Sequence, residues 1–101
     1  MSWDKLKTLL VETLRRHLKG DRADVPEAGA VLWRVFADLD ATRSYHAAGP
    51  NPIAFAEIEA YSRLVRRPLY PHHVTIIRAM DAALMGHVAD ERREAERKAG
   101  R

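Results

Sequence analysis

A small all-α domain of four helices is the fold this sequence predicts, and three observations predict it. Apolar residues recur at spacings of three and four in four separate segments, which is the period of an amphipathic helix. Glycine and proline punctuate the joins: Gly20, then Pro50 and Pro52, then Pro68 and Pro71. No stretch carries a strand signal strong enough to compete with the helical periods. A chain of 101 residues has the length of one domain. It reads as a helical domain over residues 1–89 followed by a charged helical extension over 90–101.

The first helix carries Trp3, Leu6, Leu9, Leu10, Leu14 and Leu18 on one stripe. Ser2 suits its N-cap, Asp4 its first turn and Gly20 its stop. Asp24 opens the second helix, with Glu27 three residues on in a capping-box pattern and Pro26 in the first turn. This helix is expected to run to about Tyr45, with Ala28, Val31, Leu32, Val35, Phe36 and Leu39 along one side and Trp33 beside that stripe. The third spans about Phe55 to Val65, with Phe55, Ile58, Tyr61 and Leu64 at three-residue steps and a Glu59–Arg63 pair one turn apart. The fourth starts at Pro71 and carries Val74, Ile77, Met80, Ala83, Leu84 and Val88. Beyond Val88 the chain keeps high helix propensity but has no large apolar residue.

Composition excludes several classes. There is no cysteine, so disulfides and thiolate metal sites are ruled out, and a reducing cytoplasm is a consistent setting. No run approaches the roughly 18 apolar residues of a membrane span, and the N-terminus lacks the three-part pattern of a secretory signal. A mature, soluble chain is the expectation. The net charge of +3 and the pI near 9.6 direct attention to nucleic acid. The distribution argues otherwise. Asp90, Glu91, Glu94 and Glu96 balance Arg92, Arg93, Arg97 and Lys98. The remaining bases cluster at Arg15–Lys19 and Arg63–Arg67, near predicted helix ends where the macrodipole favours cations.

The residues for catalysis are not assembled. His72 and His73 are adjacent, so on a helix they diverge and chelate one ion poorly; a zinc site needs further ligands. The serines at 2, 44 and 62 lie in no nucleophile elbow. Asp38 and Asp40 diverge on their helix, as do Glu57 and Glu59, and the glycines are too scattered for a phosphate loop. Neither an enzyme nor a metal, cofactor or small-molecule substrate is expected. A helix-turn-helix is a further reading, with His72, His73, Thr75 and Arg78 facing a groove. Its turn, with two prolines, exceeds the usual three to four residues.

Residues 32–84 carry one ordered pattern. It opens with an aromatic-rich helix (Leu32, Trp33, Phe36, Leu39), an arginine (Arg43), and a glycine-proline loop ending in proline-isoleucine (Gly49, Pro50, Pro52, Ile53). A helix with Phe55, Glu57, Ile58, Tyr61, Arg63 and Leu64 follows, then Leu69 and a proline-started helix (Pro71) with Val74, Ile77, Met80 and Asp81. In this order and spacing the segment resembles the small tail assembly chaperones and other tail-region proteins encoded by siphophages and prophages. Two positions depart from the pattern. Ala54 stands where the group usually places a serine or threonine cap, and Arg66-Arg67 replaces a glycine stop.

The resemblance implies a non-enzymatic protein of the bacterial host cytoplasm that transiently binds the tape measure protein and other tail proteins. A structural component of the tail and a small DNA-binding regulator remain as alternatives. The candidate binding residues are Trp33, Phe36, Ile53, Phe55, Ile58, Tyr61 and Tyr70. At least one of Trp33, Phe55, Tyr61 and Tyr70 is expected to be exposed, since aromatics anchor interfaces. The leucine-rich face of the first helix can pack internally or against a second copy.

Overall fold

The computed structural model describes residues 2–100, which hold four α-helices and one short hairpin. Helix α1 (Trp3–Leu18) begins as its sequence predicts, with the Ser2 hydroxyl accepting from the Lys5 N–H at 3.1 Å. It ends where Gly20 takes φ +91°. There the Gly20 N–H donates to His17 O, and the Asp21 N–H to Arg16 O, which closes the last turn in a Schellman arrangement. Leu6, Leu10 and Leu14 stack four residues apart on the buried face, while Trp3 and Leu9 stay exposed.

The second helix starts later than predicted. Residues 21–26 form no regular element, Glu27–Gly29 form a single 3-10 turn, and α2 runs Ala30–Ala41. Pro26, at ψ 134°, is itself extended, so the Asp24–Glu27 box never closes around a helical turn. Packing explains the delay. A Cβ on Gly29 would lie 2.6 Å from Leu10 Cδ2, so the backbone of the 3-10 turn presses directly on α1. The His17 ring donates Nε2–H to Ala23 O at 2.7 Å and sits 5.0 Å from the Trp33 ring, which anchors the preceding loop.

The second helix also stops earlier, at Ala41 rather than Tyr45. A two-residue strand pair follows, β1 (Tyr45–His46) against β2 (Gly49–Pro50), antiparallel, with Gly49 at φ +136°. This hairpin was not legible in the sequence, because two residues per strand carry no period. Asn51 secures its base, with N–H to Ser44 O at 2.9 Å and Nδ2 to Ser44 Oγ at 3.0 Å.

Helix α3 (Phe55–Leu64) and helix α4 (Pro71–Ala99) fall where predicted. Ala54 occupies the N-cap of α3 in extended conformation and offers no side-chain bond. Helix α4 continues unbroken through the charged segment, for about 43 Å at 1.5 Å per residue. Its extension is a solvated helix held by side-chain pairs one turn apart, among them the Arg92–Glu96 ion pair at 3.7 Å and the contact of His87 Nε2 with Glu91 Oε1 at 3.2 Å.

The core lies where α1, α2 and α4 meet. Trp3 lies against His72 and His73, while Leu18 shares a cleft with Ala83 and His87, so α1 and α4 run in the same direction. Leu10, Val35, Ile76, Ile77 and Met80 are fully enclosed. Each such side chain contributes about 1.5–3 kcal/mol by leaving water. Helix α3 adds only Ile58 to this core as a buried residue, so it is the most lightly held of the four α-helices.

Candidate protein-binding surface

The loop that carries β1 and β2 is bound to α4 by a buried ion pair. The Arg43 side chain is 2% exposed. Its Nη2 donates to Asp81 Oδ1 at 2.5 Å, its Nη1 to Asn51 O at 2.8 Å, and its Nε to Asp40 Oδ1 at 2.8 Å. Asp81 uses its other oxygen, Oδ2, to accept the Ile53 N–H at 2.9 Å. Among the described residues no buried side-chain nitrogen or oxygen lacks a partner. Burial alone would push the Arg43 guanidinium down, but the bonds to Asp81 and Asp40 outweigh it and hold its pKa above the ordinary value. One arginine thereby aims the chain from α2 into α3.

That clamp assigns a place to each candidate residue. Phe36, Ile53 and Ile58 are buried and belong to the core, not to a surface. Phe36 faces inward on the α2 stripe, Ile53 enters the core because its N–H is fixed on Asp81, and Ile58 is the one fully buried residue of α3. Trp33 is half-buried against the core beside His17. Tyr61 is also half-buried and clips α3 to α2, its hydroxyl donating to Asp38 Oδ2 at 2.7 Å. That bond, and then Arg34, hold the Asp38 carboxyl below its usual range; burial, and then the same bond, raise the Tyr61 phenol. Phe55 is 61% exposed and Tyr70 57%, so two of the four aromatics face solvent.

Phe55 forms one wall of an open cleft between α3 and the start of α4. Leu69, Pro71, Val74, Thr75 and Arg78 complete it. The Arg78 guanidinium carbon lies 4.5 Å from the centre of the Phe55 ring, a cation–π contact. Around the N-terminus of α4, Tyr70, His72, His73 and Trp3 form a second cluster, with Trp3 and His72 ring centres 4.1 Å apart. His73 Nδ1 accepts the Tyr70 N–H at 3.0 Å. These contacts engage three of the four groove-facing residues of the helix-turn-helix reading: His72 and His73 pack on Trp3, and Arg78 covers Phe55.

Sequence reasoning named Arg43 and Asp81 only as parts of a pattern and did not pair them. A signal was available. Asp81 sits one turn after Ile77 and one turn before Leu84, a charge in the middle of an apolar stripe, and such a charge needs a buried partner. Arg78 was named only as a groove-facing residue of the helix-turn-helix reading; its place over Phe55 depends on a neighbour on another helix.

The class defined by this architecture is a small all-α domain with a clamped loop, a closed three-helix core and an apolar cleft left open beside α3. The model of the phage tail assembly chaperone family matches residues 14–86, and the chain belongs to that family. The match extends beyond the 32–84 pattern to the last turn of α1 and takes in the whole Arg43–Asp81 clamp; the charged extension lies outside it. No curated protein and no solved structure matches the chain. No described helix is long and apolar enough to cross a membrane.

Proposed function

We propose that this chain is a tail assembly chaperone that binds the tape measure protein transiently in the host cytoplasm, before the tail tube closes around it. The observation that carries the reading is the open apolar cleft at Phe55, in a domain that belongs to a chaperone family. A long helical chain with apolar stripes self-associates unless those stripes are covered. A cleft between two helices can cover such a stripe by helix-in-groove recognition. Its small size suits a contact that must later release.

Leu64, 85% exposed, and Val65 leave further apolar surface on the side of α3 away from Phe55, and the scant burial of that helix lets it adjust to a partner. The test is co-expression with the tape measure protein of the same genome. The expected outcome is co-purification and a larger soluble fraction of the tape measure protein, both reduced by Phe55→Ala. If the tape measure protein is equally soluble alone and the two do not co-purify, the reading fails. Recovery of this chain from purified tails would favour a structural role instead.

A further inference from the structure

The cleft beside α3 has one charge among its lining residues, and that charge is unmatched. Phe55, Leu69, Pro71, Val74 and Thr75 are uncharged, and Arg78 stands at the edge. Arg43 pairs with Asp81 and Asp40, Arg34 with Asp38, and Arg63 with Glu59, whereas Arg15, Arg22, Arg66 and Arg67 form no ion pair among the described residues and line no part of this cleft. Arg78 forms no ion pair among the described residues. It is nonetheless held in place, because its guanidinium rests 4.5 Å from the Phe55 ring centre. A stacked guanidinium keeps its planar fork of donors free, and that fork matches a carboxylate with two parallel bonds.

We infer that this cleft takes the apolar edge of a partner helix and that Arg78 selects one in which Asp or Glu flanks that edge. The partner's apolar side chains cover Leu69, Val74 and Phe55. Its carboxylate then meets Arg78 at the rim, where the covering helix removes water and strengthens the pair. A lysine-flanked helix of equal apolarity brings like charge to the same point and is rejected. The charge complementarity also discriminates among occupants. The α4 extension of a second copy carries Glu91, Glu94 and Glu96 but no large apolar residue for the floor. A nucleic-acid phosphate would satisfy Arg78 and leave Leu69 and Val74 uncovered. The identification of the partner helix as a segment of the tape measure protein rests on the proposed function; the acidic flank does not.

The experiment uses the full chain and two synthetic helical peptides with the same apolar residues at i, i+3, i+4 and i+7, one flanked by Glu and one by Lys. Fluorescence anisotropy at low salt should show the Glu peptide bound about tenfold tighter or more. Arg78→Gln should abolish the preference, Arg78→Glu should reverse it, and Phe55→Ala should weaken both peptides. Circular dichroism melts establish that each variant is folded. Equal binding of the two peptides, a preference that survives Arg78→Glu, or binding of neither peptide overturns the inference. So does a wild-type dimer that Arg78→Glu dissociates, which would give the cleft to a second copy. Co-purification with the tape measure protein separates the two claims. If wild type and Arg78→Glu capture it equally, the chaperone reading stands and the selective cleft falls. If neither captures it while the Glu preference persists, the chaperone reading falls and the cleft chemistry stands.

Discussion

Arg66 holds the left-handed conformation at φ +54°, the only non-glycine residue with positive φ among those described. It sits just past the end of α3, where its N–H donates to Arg63 O at 3.3 Å and the Arg67 N–H to Ser62 O at 3.0 Å. This is the Schellman geometry that glycine adopts without steric cost at Gly20. The resemblance places a glycine stop near this position, and the backbone here keeps the glycine conformation without the glycine. Arg66→Gly should therefore stabilise the fold by up to about 1 kcal/mol, seen as a higher urea midpoint with an unchanged slope.

A second residue-scale prediction concerns His73. Burial, and then the neighbouring His72, hold its imidazole below the ordinary value. Its Nδ1 also accepts the Tyr70 N–H, which a proton on that nitrogen would prevent. A base whose folded pKa lies below its unfolded value stabilises the fold above the unfolded pKa, near 6.5. That contribution is lost as pH falls through the folded value. The melting temperature should drop between pH 7.5 and pH 5, and His73→Asn should flatten that slope.

At the scale of elements, the Arg43–Asp81 clamp decides where α3 goes. Removing one partner strands the other charge in the core and frees the Ile53 or Asn51 backbone contact. Arg43→Ala or Asp81→Ala should each cost about 3–5 kcal/mol, measured by chemical denaturation. The double variant Arg43→Met with Asp81→Leu should cost less than the sum of the single losses, because no uncompensated charge remains. Helix α3 itself depends on this clamp. Ala54 gives it no cap, Arg66 strains its end, and only Ile58 buries it.

The helices were legible because each has a stripe that a period of three or four exposes. The start of α2 was not, because the pressure of Leu10 on Gly29 joins residues 19 positions apart, beyond any local pattern. For the same reason the binding candidates were only partly placed. Periodicity marks a residue as apolar, and burial depends on what packs over it. Phe36, Ile53 and Ile58 went to the core, whereas Phe55 and Tyr70 face water.

On the scale of the whole molecule, the shape is elongated, 49 Å in its longest dimension by 27 and 19 Å, because α4 outruns the domain it belongs to. The segment past Ala89 makes ion pairs with itself and adds no residue to the core. Ending the chain at Ala89 should lower the helical circular dichroism signal in proportion to the residues removed. It should change unfolding free energy by no more than about 0.5 kcal/mol, the range of surface substitutions. A larger loss would show that the extension supports the domain.

The sequence by itself determined the class of this protein. Its helical periods, its caps at Ser2 and Gly20, its proline breaks and its family pattern are all local, and local order needs no knowledge of neighbours in space. Tertiary structure alone decided which apolar residues remain outside. Arg43 reaches across 38 positions to Asp81, and that bond turns Ile53 inward and leaves Phe55 under Arg78 at an open edge. A buried charge must find its partner wherever the chain brings one, and the position of that partner set the face that this chaperone-family domain presents.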